Sequence, residues 1–303
     1  MVFITSDSNS PSYNLAWEEY ILKYLYDGED IFLLWQNDSS LIIGRNQNVY
    51  EEANMLYLKE NQIPLFRRNS GGGCVYHDLG NINFTFITQA KGNVNQYEKL
   101  LTPIINALNT LHINATFHPK SDLYLEGKKI GGNAQYLFKD VLLHHGTILF
   151  NTDLDTLNNA LAKKEHIKST SIKSRRASVI NISNYTKLDI HTFMGKLKEN
   201  ISPKYRYLSL TDEDKKIIQQ IEREKYLTDE WNYFESPKSS IHIKNNDYTI
   251  LIEIDKGHIK EIFIENKQMR QTHLEKELIN KPFLIDSFLF LKTNNKDIFH
   301  LIF

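Results

Sequence analysis

The sequence predicts an α+β protein: a mixed, mostly antiparallel sheet with flanking helices, followed by a small α+β C-terminal domain. Three observations lead there. Short β-branched and aromatic runs recur through the first two-thirds, among them IFLLW at 31–35 and INFTFIT at 82–88. Helical stripes separate them without the regular strand–helix alternation of a doubly wound parallel sheet. Near residue 237 turn-forming residues mark a boundary, and the remainder reads as a compact unit close to the size floor for independent folding.

Each element has its own signal. Residues 12–26 place Leu15, Ala16, Tyr20, Ile21 and Leu22 at helical spacing after a Ser/Asn-rich entry suited to capping. IFLLW and SLIIG (40–44) flank Gln36-Asn37-Asp38-Ser39 and read as two strands and a turn. A short helix over 54–61 precedes IPLFRR and the glycine triplet 71–73. CVYHD and INFTFIT then read as strand, loop, strand. A helix is expected over 96–111, with Leu100, Ile104, Leu108 and Leu111 on one stripe. DLYLEGKKIGG has the form of a hairpin turning at Glu126-Gly127, LLHHGTILFN is a strand, and 153–164 has helical spacing. Residues 210–225 form an amphipathic helix. Beyond 237, SIHIK, YTILIEIDKGHIKEIFIE and the terminal IFHLIF read as strands, giving domains over 1–236 and 237–303.

Thirty-six basic side chains nearly cancel thirty-seven acidic ones, so no global field exists to hold nucleic acid or an anionic membrane. The single cysteine, Cys74, allows neither an internal disulfide nor a cysteine-rich metal site. With no secretory leader and no long apolar stretch, a cytoplasmic, monomeric protein is expected.

The segment RRNSGGGCVYHDLGN, 67–81, carries the chemistry. Three consecutive glycines let backbone N–H groups approach a ligand closely, and the adjacent arginines and serine offer donors suited to phosphate or carboxylate. On local chemistry alone, a glycine hinge with solvated arginines remains the alternative. The segment lacks the closing Gly-Lys-Ser/Thr of a P-loop, and a strand-like run follows where a dinucleotide-binding turn would open a helix.

Six blocks in order, NLAWEEYIL, WQNDSSLIIGRNQN, RRNSGGGCVYHDLGNINFTF, GKKIGGNAQ, HHGTILFNTDL and SIKSRRASVIN, resemble the lipoate–protein ligases, relatives of biotin ligases and octanoyl transferases. The resemblance implies a biotin/lipoate-ligase-like catalytic domain with a C-terminal accessory domain. It implies lipoate and ATP as substrates, Mg2+, and acceptors that are lipoyl domains of 2-oxoacid dehydrogenase E2 subunits or glycine cleavage H protein. Residue by residue, Arg68, Gly73, Cys74, Val75 and Tyr76 fall where the family binds nucleotide and acyl-adenylate, with Arg67, Ser70, Gly71, Gly72, His77 and Asn81 beside them. Lys129 falls on the family's lysine at the acyl carbonyl and adenylate phosphate; Arg45, His145 and Gly146 fall at the lipoate site. Asp78 matches a metal neighbourhood, and Asp122 an acidic position near the adenosine or the acceptor lysine.

A physical reason for Lys129 stands beside the resemblance. Joining a carboxylate to an α-phosphate brings like charges together, and a fixed ammonium between them lowers that barrier. Taken without the resemblance, Lys128 and Lys129 read first as exposed hairpin lysines, because lysines are mostly exposed. Of the adjacent His144 and His145, which face opposite sides of a strand, one is expected to line the acyl pocket. Trp35, Phe84 and Phe86 suit either an acyl slot or the core. Two departures stand out: Gly131 where the family often has serine, and Cys74 where alanine is usual. A Cys74 nucleophile would give an ATP-independent lipoyl or octanoyl amidotransferase. A non-catalytic lipoate-binding protein and a biotin substrate are the remaining readings. The basic run Lys163, Lys164, Lys168, Lys173, Arg175 and Arg176 suits an acidic acceptor or a solvated face.

Overall fold

A computed structural model describes residues 1–119, 121–161, 166–174, 177–202 and 204–303; Lys163, Lys164, Arg175 and Arg176 of the basic run lie outside them. In chain order the strands are β1 (Val2–Thr5), β2 (Ile31–Trp35), β3 (Ser40–Ile43), β4 (Leu65–Arg67), β5 (Val75–His77), β6 (Asn81–Gln89), β7 (Thr116–His118) and β8 (Asp122–Leu125). They continue with β9 (Lys128–Phe138), β10 (Val141–Leu149), β11 (Ile167–Ser169), β12 (Arg206–Tyr207), β13 (Ser239–Lys244), β14 (Tyr248–Asp255), β15 (His258–Asn266) and β16 (Met269–Arg270).

Eight of them form one sheet in the order β12-β1-β2-β6-β10-β9-β8-β7, parallel only where β1 meets β12 and β2. IFLLW is apolar throughout because both faces of β2 are covered. Phe32 and Leu34 pack with Leu101, Ile104 and Leu108 of helix Tyr97–Thr110 and with Phe193 and Leu197 of helix Ile190–Ile201. Ile31, Leu33 and Trp35 face Leu15, Trp17 and Tyr20 of helix Pro11–Tyr20 and Ile218 of helix Asp212–Ile221. The first of these helices starts at Ser10, whose hydroxyl accepts from Tyr13 N–H, with Pro11 pre-set in the first turn.

The runs read as successive strands do not stay together. β3 and β5 leave the large sheet and join β4 in a three-stranded sheet, so the chain from 68 to 74 links β4 to β5 as a loop against the large sheet. The hairpin at 122–131 is present, with positive φ at Glu126 and Gly127 turning β8 into β9.

Residues beyond 238 build an antiparallel sheet, β11-β13-β14-β15-β16, packed on helices Thr272–Leu278, Leu289–Asn294 and Lys296–Ile302. Its edge strand β11 comes from far earlier in the chain. The terminal IFHLIF is helical, correcting the strand expectation: Ile298, Phe299, Ile302 and Phe303 recur at helical spacing and are all buried in this core.

Candidate active site

A cavity of about 340 Å3 opens between the 68–74 loop, β9 and β10. Its walls include Arg68, Gly72, Gly73 and Cys74 from the loop, and Asp122, Lys129, Asn133 and Gly146 from the large sheet. A second lobe of about 180 Å3 shares Cys74, Val75, Lys129, Gly132 and Ser174 with the first. It extends to Tyr76, Leu149, Leu157, Asn158 and Val179. Lys129 and the glycine loop therefore meet at one wall.

The two adjacent arginines part company there. In an extended chain successive side chains face opposite ways, so Arg68 lines the cavity with Ser70 on the same side just behind the wall, while Arg67 and Asn69 face away. Arg68 donates from Nε to Ser70 Oγ at 2.9 Å, and from Nη2 to the carbonyls of Gly71 and Gly73 at 2.5 and 2.7 Å. The guanidinium thus ties down the loop's carbonyls, which turns its N–H groups elsewhere. Gly72 adopts φ +84°, and a Cβ there would sit 3.1 Å from Arg68 Nη2. Burial pulls Arg68 down to about 10, still a cation at neutral pH.

Lys129 Nζ lies 2.8 Å from Asp122 Oδ1, and both side chains are only partly exposed. Lys128, its neighbour, is exposed. A Cβ on Gly132 would lie 3.0 Å from the ammonium, so the glycine leaves space for the pair. At Gly131 the serine common in the family has no room, since a Cβ would reach within 1.9 Å of Thr147 O.

Deeper in the cavity a polar chain crosses the sheet. Trp35 Nε1 donates to Thr85 Oγ1 at 3.2 Å, and Thr85 donates to Glu18 Oε1 at 2.6 Å. Glu18 Oε1 also lies 2.9 Å from His145 Nδ1, whose Nε2 is 2.6 Å from Ser70 Oγ. His145 lines the cavity, whereas His144 packs on the other face against Phe84 and Tyr97. His77 is fixed by a second chain: Asn14 Nδ2 donates to Asn37 Oδ1, and Asn37 Nδ2 donates to His77 Nδ1 at 3.1 Å. That leaves Nε2 as the protonated nitrogen, buried without a partner on a cavity-lining residue. Burial holds His77 down to about 3, with Arg68 and His145 adding to the effect, so the ring is neutral. Asn83 Nδ2 and Asn133 Oδ1 on the same walls are likewise unpartnered. Buried polar atoms without partners cost free energy, and a polar ligand in the cavity would relieve it.

The sequence-predicted residues sort by position. Arg68, Gly72, Gly73, Cys74, Val75, His77, Asp122, Lys129, His145 and Gly146 line the first lobe and Tyr76 the second. Ser70, Gly71 and Asn81 stand behind the walls, with Asn81 Nδ2 donating to Asn83 Oδ1. Arg67 and Arg45 are placed elsewhere: Arg67 is fully buried, spending its guanidinium on carbonyls and a hydroxyl, and Arg45 pairs with Glu235 at 2.8 Å. Asp78 is also outside; its carboxylate accepts from the N–H groups of Gly80 and Asp153. Among the described residues no three His, Cys, Asp or Glu side chains gather as a metal cage. Burial pushes the Cys74 thiol up, outweighing the opposing pull of Arg68, which disfavours a thiolate nucleophile. Sequence reasoning missed Glu18, Asn83, Thr147 and Ser174. Ser174 Oγ accepts from Cys74 N–H at 2.9 Å and closes the rim. The signal for Glu18 was available, since Glu18-Glu19 sits in an otherwise apolar helical stripe.

A mixed sheet faced by helices, with a glycine loop and a lysine meeting at a two-lobed cavity, defines an α+β domain built around one ligand site. The family description "Lipoyl protein ligase A/B catalytic domain" matches residues 10–202, and the chain belongs to that family. Lipoate-protein ligase LplJ of Bacillus subtilis is 39% identical over 278 residues, covering 86% of this chain and 83% of its own. The crystal structure of lipoate-protein ligase A bound with ATP is similar with a TM-score of 0.67 at 27% identity, over 76% of this chain and 97% of that one. A bi-partite lipoate protein ligase of Thermoplasma acidophilum, studied with its E2 lipoyl domain, gives 0.66 at 26% identity, over 76% and 94%.

Proposed function

We propose that the protein activates lipoate with MgATP to lipoyl-AMP and passes the lipoyl group to a lysine of an acceptor protein. The observation that carries this reading is that Lys129 and the glycine loop meet at the wall shared by the two lobes. In the first step a lipoate oxygen attacks the α-phosphorus and pyrophosphate leaves. The ammonium of Lys129 offsets the repulsion between carboxylate and phosphate, the interaction that grows most toward the transition state. In the second step the acceptor's ε-amine attacks the acyl carbon, an amide forms and AMP leaves; in this reading Asp122 takes the proton the amine loses.

The first lobe, with Leu15, Trp35, Ile42 and Ala134 among its walls, suits the acyl chain. The second, with Tyr76, Leu149, Leu157 and Asn158, suits the nucleoside. Mg2+ enters with the nucleotide as part of the substrate, in keeping with its preference for phosphate oxygens over all-protein cages. We assign residues 1–236 to catalysis and 237–303 to an accessory unit that borrows β11. The acceptors we propose are lipoyl domains of 2-oxoacid dehydrogenase E2 subunits and glycine cleavage H protein. The relative named with an E2 lipoyl domain supports the first class. A cytoplasmic monomer fits such partners, and among the described residues no helix is long and apolar enough to cross a membrane. ATP–pyrophosphate exchange that depends on added lipoate tests the first step; absence of exchange refutes it.

A further inference from the structure

The back of the glycine loop is held by a part of the chain that the catalytic-domain match, ending at 202, does not include. Residues 222–237 run as two wide, π-type turns, Glu222–Tyr226 and Glu230–Phe234, behind β4. Such turns are uncommon and recur at functional sites. Most groups that point backward from residues 67 to 69 end on this strap, and Glu19 of the helix Pro11–Tyr20 shares the site by accepting from Asn69 Nδ2 at 2.9 Å and from Lys225 Nζ at 2.8 Å. Arg67 donates from Nε to Trp231 O at 3.0 Å, and from Nη2 to Asn232 O at 3.1 Å and Ser236 Oγ at 2.9 Å. Its own N–H donates to Asn232 Oδ1 at 2.9 Å, and its carbonyl accepts from Trp231 Nε1 at 2.6 Å. Asn69 donates to Tyr226 Oη at 2.8 Å and accepts from Lys225 Nζ at 2.7 Å.

The same guanidinium reaches past β4 to the front. Arg67 Nη1 donates to the carbonyls of Gly44, Arg45 and Gln47, the turn after β3 that backs the loop. Arg45 in turn stacks on the Trp231 ring at 4.6 Å. The strap therefore grips residues 67 and 69, while residues 68 and 70, alternating with them, hold Gly71, Gly73 and His145 on the cavity side. The two sets of bonds alternate along one short extended stretch, so a shift of the strap would be passed to the loop through the backbone of residues 67–70.

We propose that residues 222–237 are a positioning element of the acyl-adenylate cavity, acting through Arg67 and Asn69 on the 68–74 loop. The proposal rests on the ligase reading above. None of the strap residues lines either lobe, so their effect is transmitted and not direct.

The test uses the full chain with two substitutions, Trp231→Phe, which deletes the Nε1 donor while keeping a ring, and Asn232→Ala. Ile298→Val, in the C-terminal core, serves as a control for mild destabilisation alone. Affinity is measured calorimetrically for an acyl-adenylate analogue carrying a sulfamate in place of the phosphate, alongside KM and kcat of lipoate-dependent pyrophosphate exchange. Loss of one positioning hydrogen bond predicts an analogue bound roughly tenfold more weakly and a raised KM in both strap variants. Ile298→Val should bind and exchange as the unsubstituted protein does. Strap variants that also bind and exchange normally overturn the proposal while leaving the ligase reading intact. An unsubstituted protein that neither binds the analogue nor exchanges overturns both.

Discussion

Replacing Lys129 by methionine keeps the length of the side chain and removes its charge. The stability cost is bounded by the pair it breaks: Lys129 Nζ and Asp122 Oδ1 are 2.8 Å apart, with side chains 24% and 18% exposed. An exposed pair is worth up to about 1 kcal/mol and breaking a buried one costs roughly 3 kcal/mol or more, so this mostly but not fully buried pair falls between. A domain stable by about 5–15 kcal/mol remains folded after such a loss. Removing a cation aimed at developing charge costs about 10²–10³ in rate, or roughly 3–4 kcal/mol of transition-state stabilisation. The rate effect thus exceeds anything partial unfolding produces. The assay is lipoate-dependent pyrophosphate exchange beside thermal unfolding of the same preparation. A folded Lys129→Met protein exchanging within a factor of about three of the parent would refute the reasoning, since less than 1 kcal/mol would then separate the two barriers.

Three further expectations follow from the same geometry. Gly132→Ala puts a Cβ 3.0 Å from Lys129 Nζ and 3.3 Å from Asp122 Oδ1, side-chain atoms that must shift by tenths of an ångström; exchange should fall about tenfold with little change in the unfolding midpoint. Cys74→Ala should retain exchange and lose roughly 1 kcal/mol or less by denaturant titration, because the buried thiol contributes packing alone. His77 and His144 are held down to about 3, chiefly by burial, against an ordinary value of 6.5. Their neutral forms stabilise the fold fully above 6.5, and that contribution is lost as pH falls toward 3, where the unfolded chain binds the extra protons. Glu19, lowered to about 2 by Lys225 and its hydrogen bonds against the opposing burial, acts with the same sign only below 4.5. Between pH 6.5 and 4.5, His144→Gln should therefore flatten the rise of unfolding free energy with pH by about 1 kcal/mol per unit.

What could be read in advance followed from residue type and spacing. The glycine triplet carried a chemical signal in its own segment, whereas Lys129 was singled out by the family resemblance, and the sheet's pairing brings both to one cavity. The helices at 11–20 and 97–110 announced themselves by stripes that do pack on the sheet. The separate duties of Arg67 and Arg68 were less legible, because adjacency in sequence suggested a shared ligand and only the extended backbone divides them. Glu18 escaped because a buried carboxylate becomes intelligible once His145 and Thr85 are seen to face it. β11 is three residues long, IKS, with no pattern of its own; its strand character comes wholly from pairing with β13. The terminal helix was misread for a related reason: IFHLIF is too short for a period of two and one of 3.6 to be told apart.

The proposed function requires a mixed anhydride formed and held between the glycine loop and Lys129 before the acyl group moves to protein. Its most direct test is the mass of a lipoyl domain after incubation with the protein, lipoate and MgATP, with the nucleotide omitted in parallel. The prediction is a gain of one lipoyl group that requires ATP and disappears in Lys129→Met. An acceptor that gains the group without ATP, or from the Lys129→Met protein at the parental rate, would contradict it.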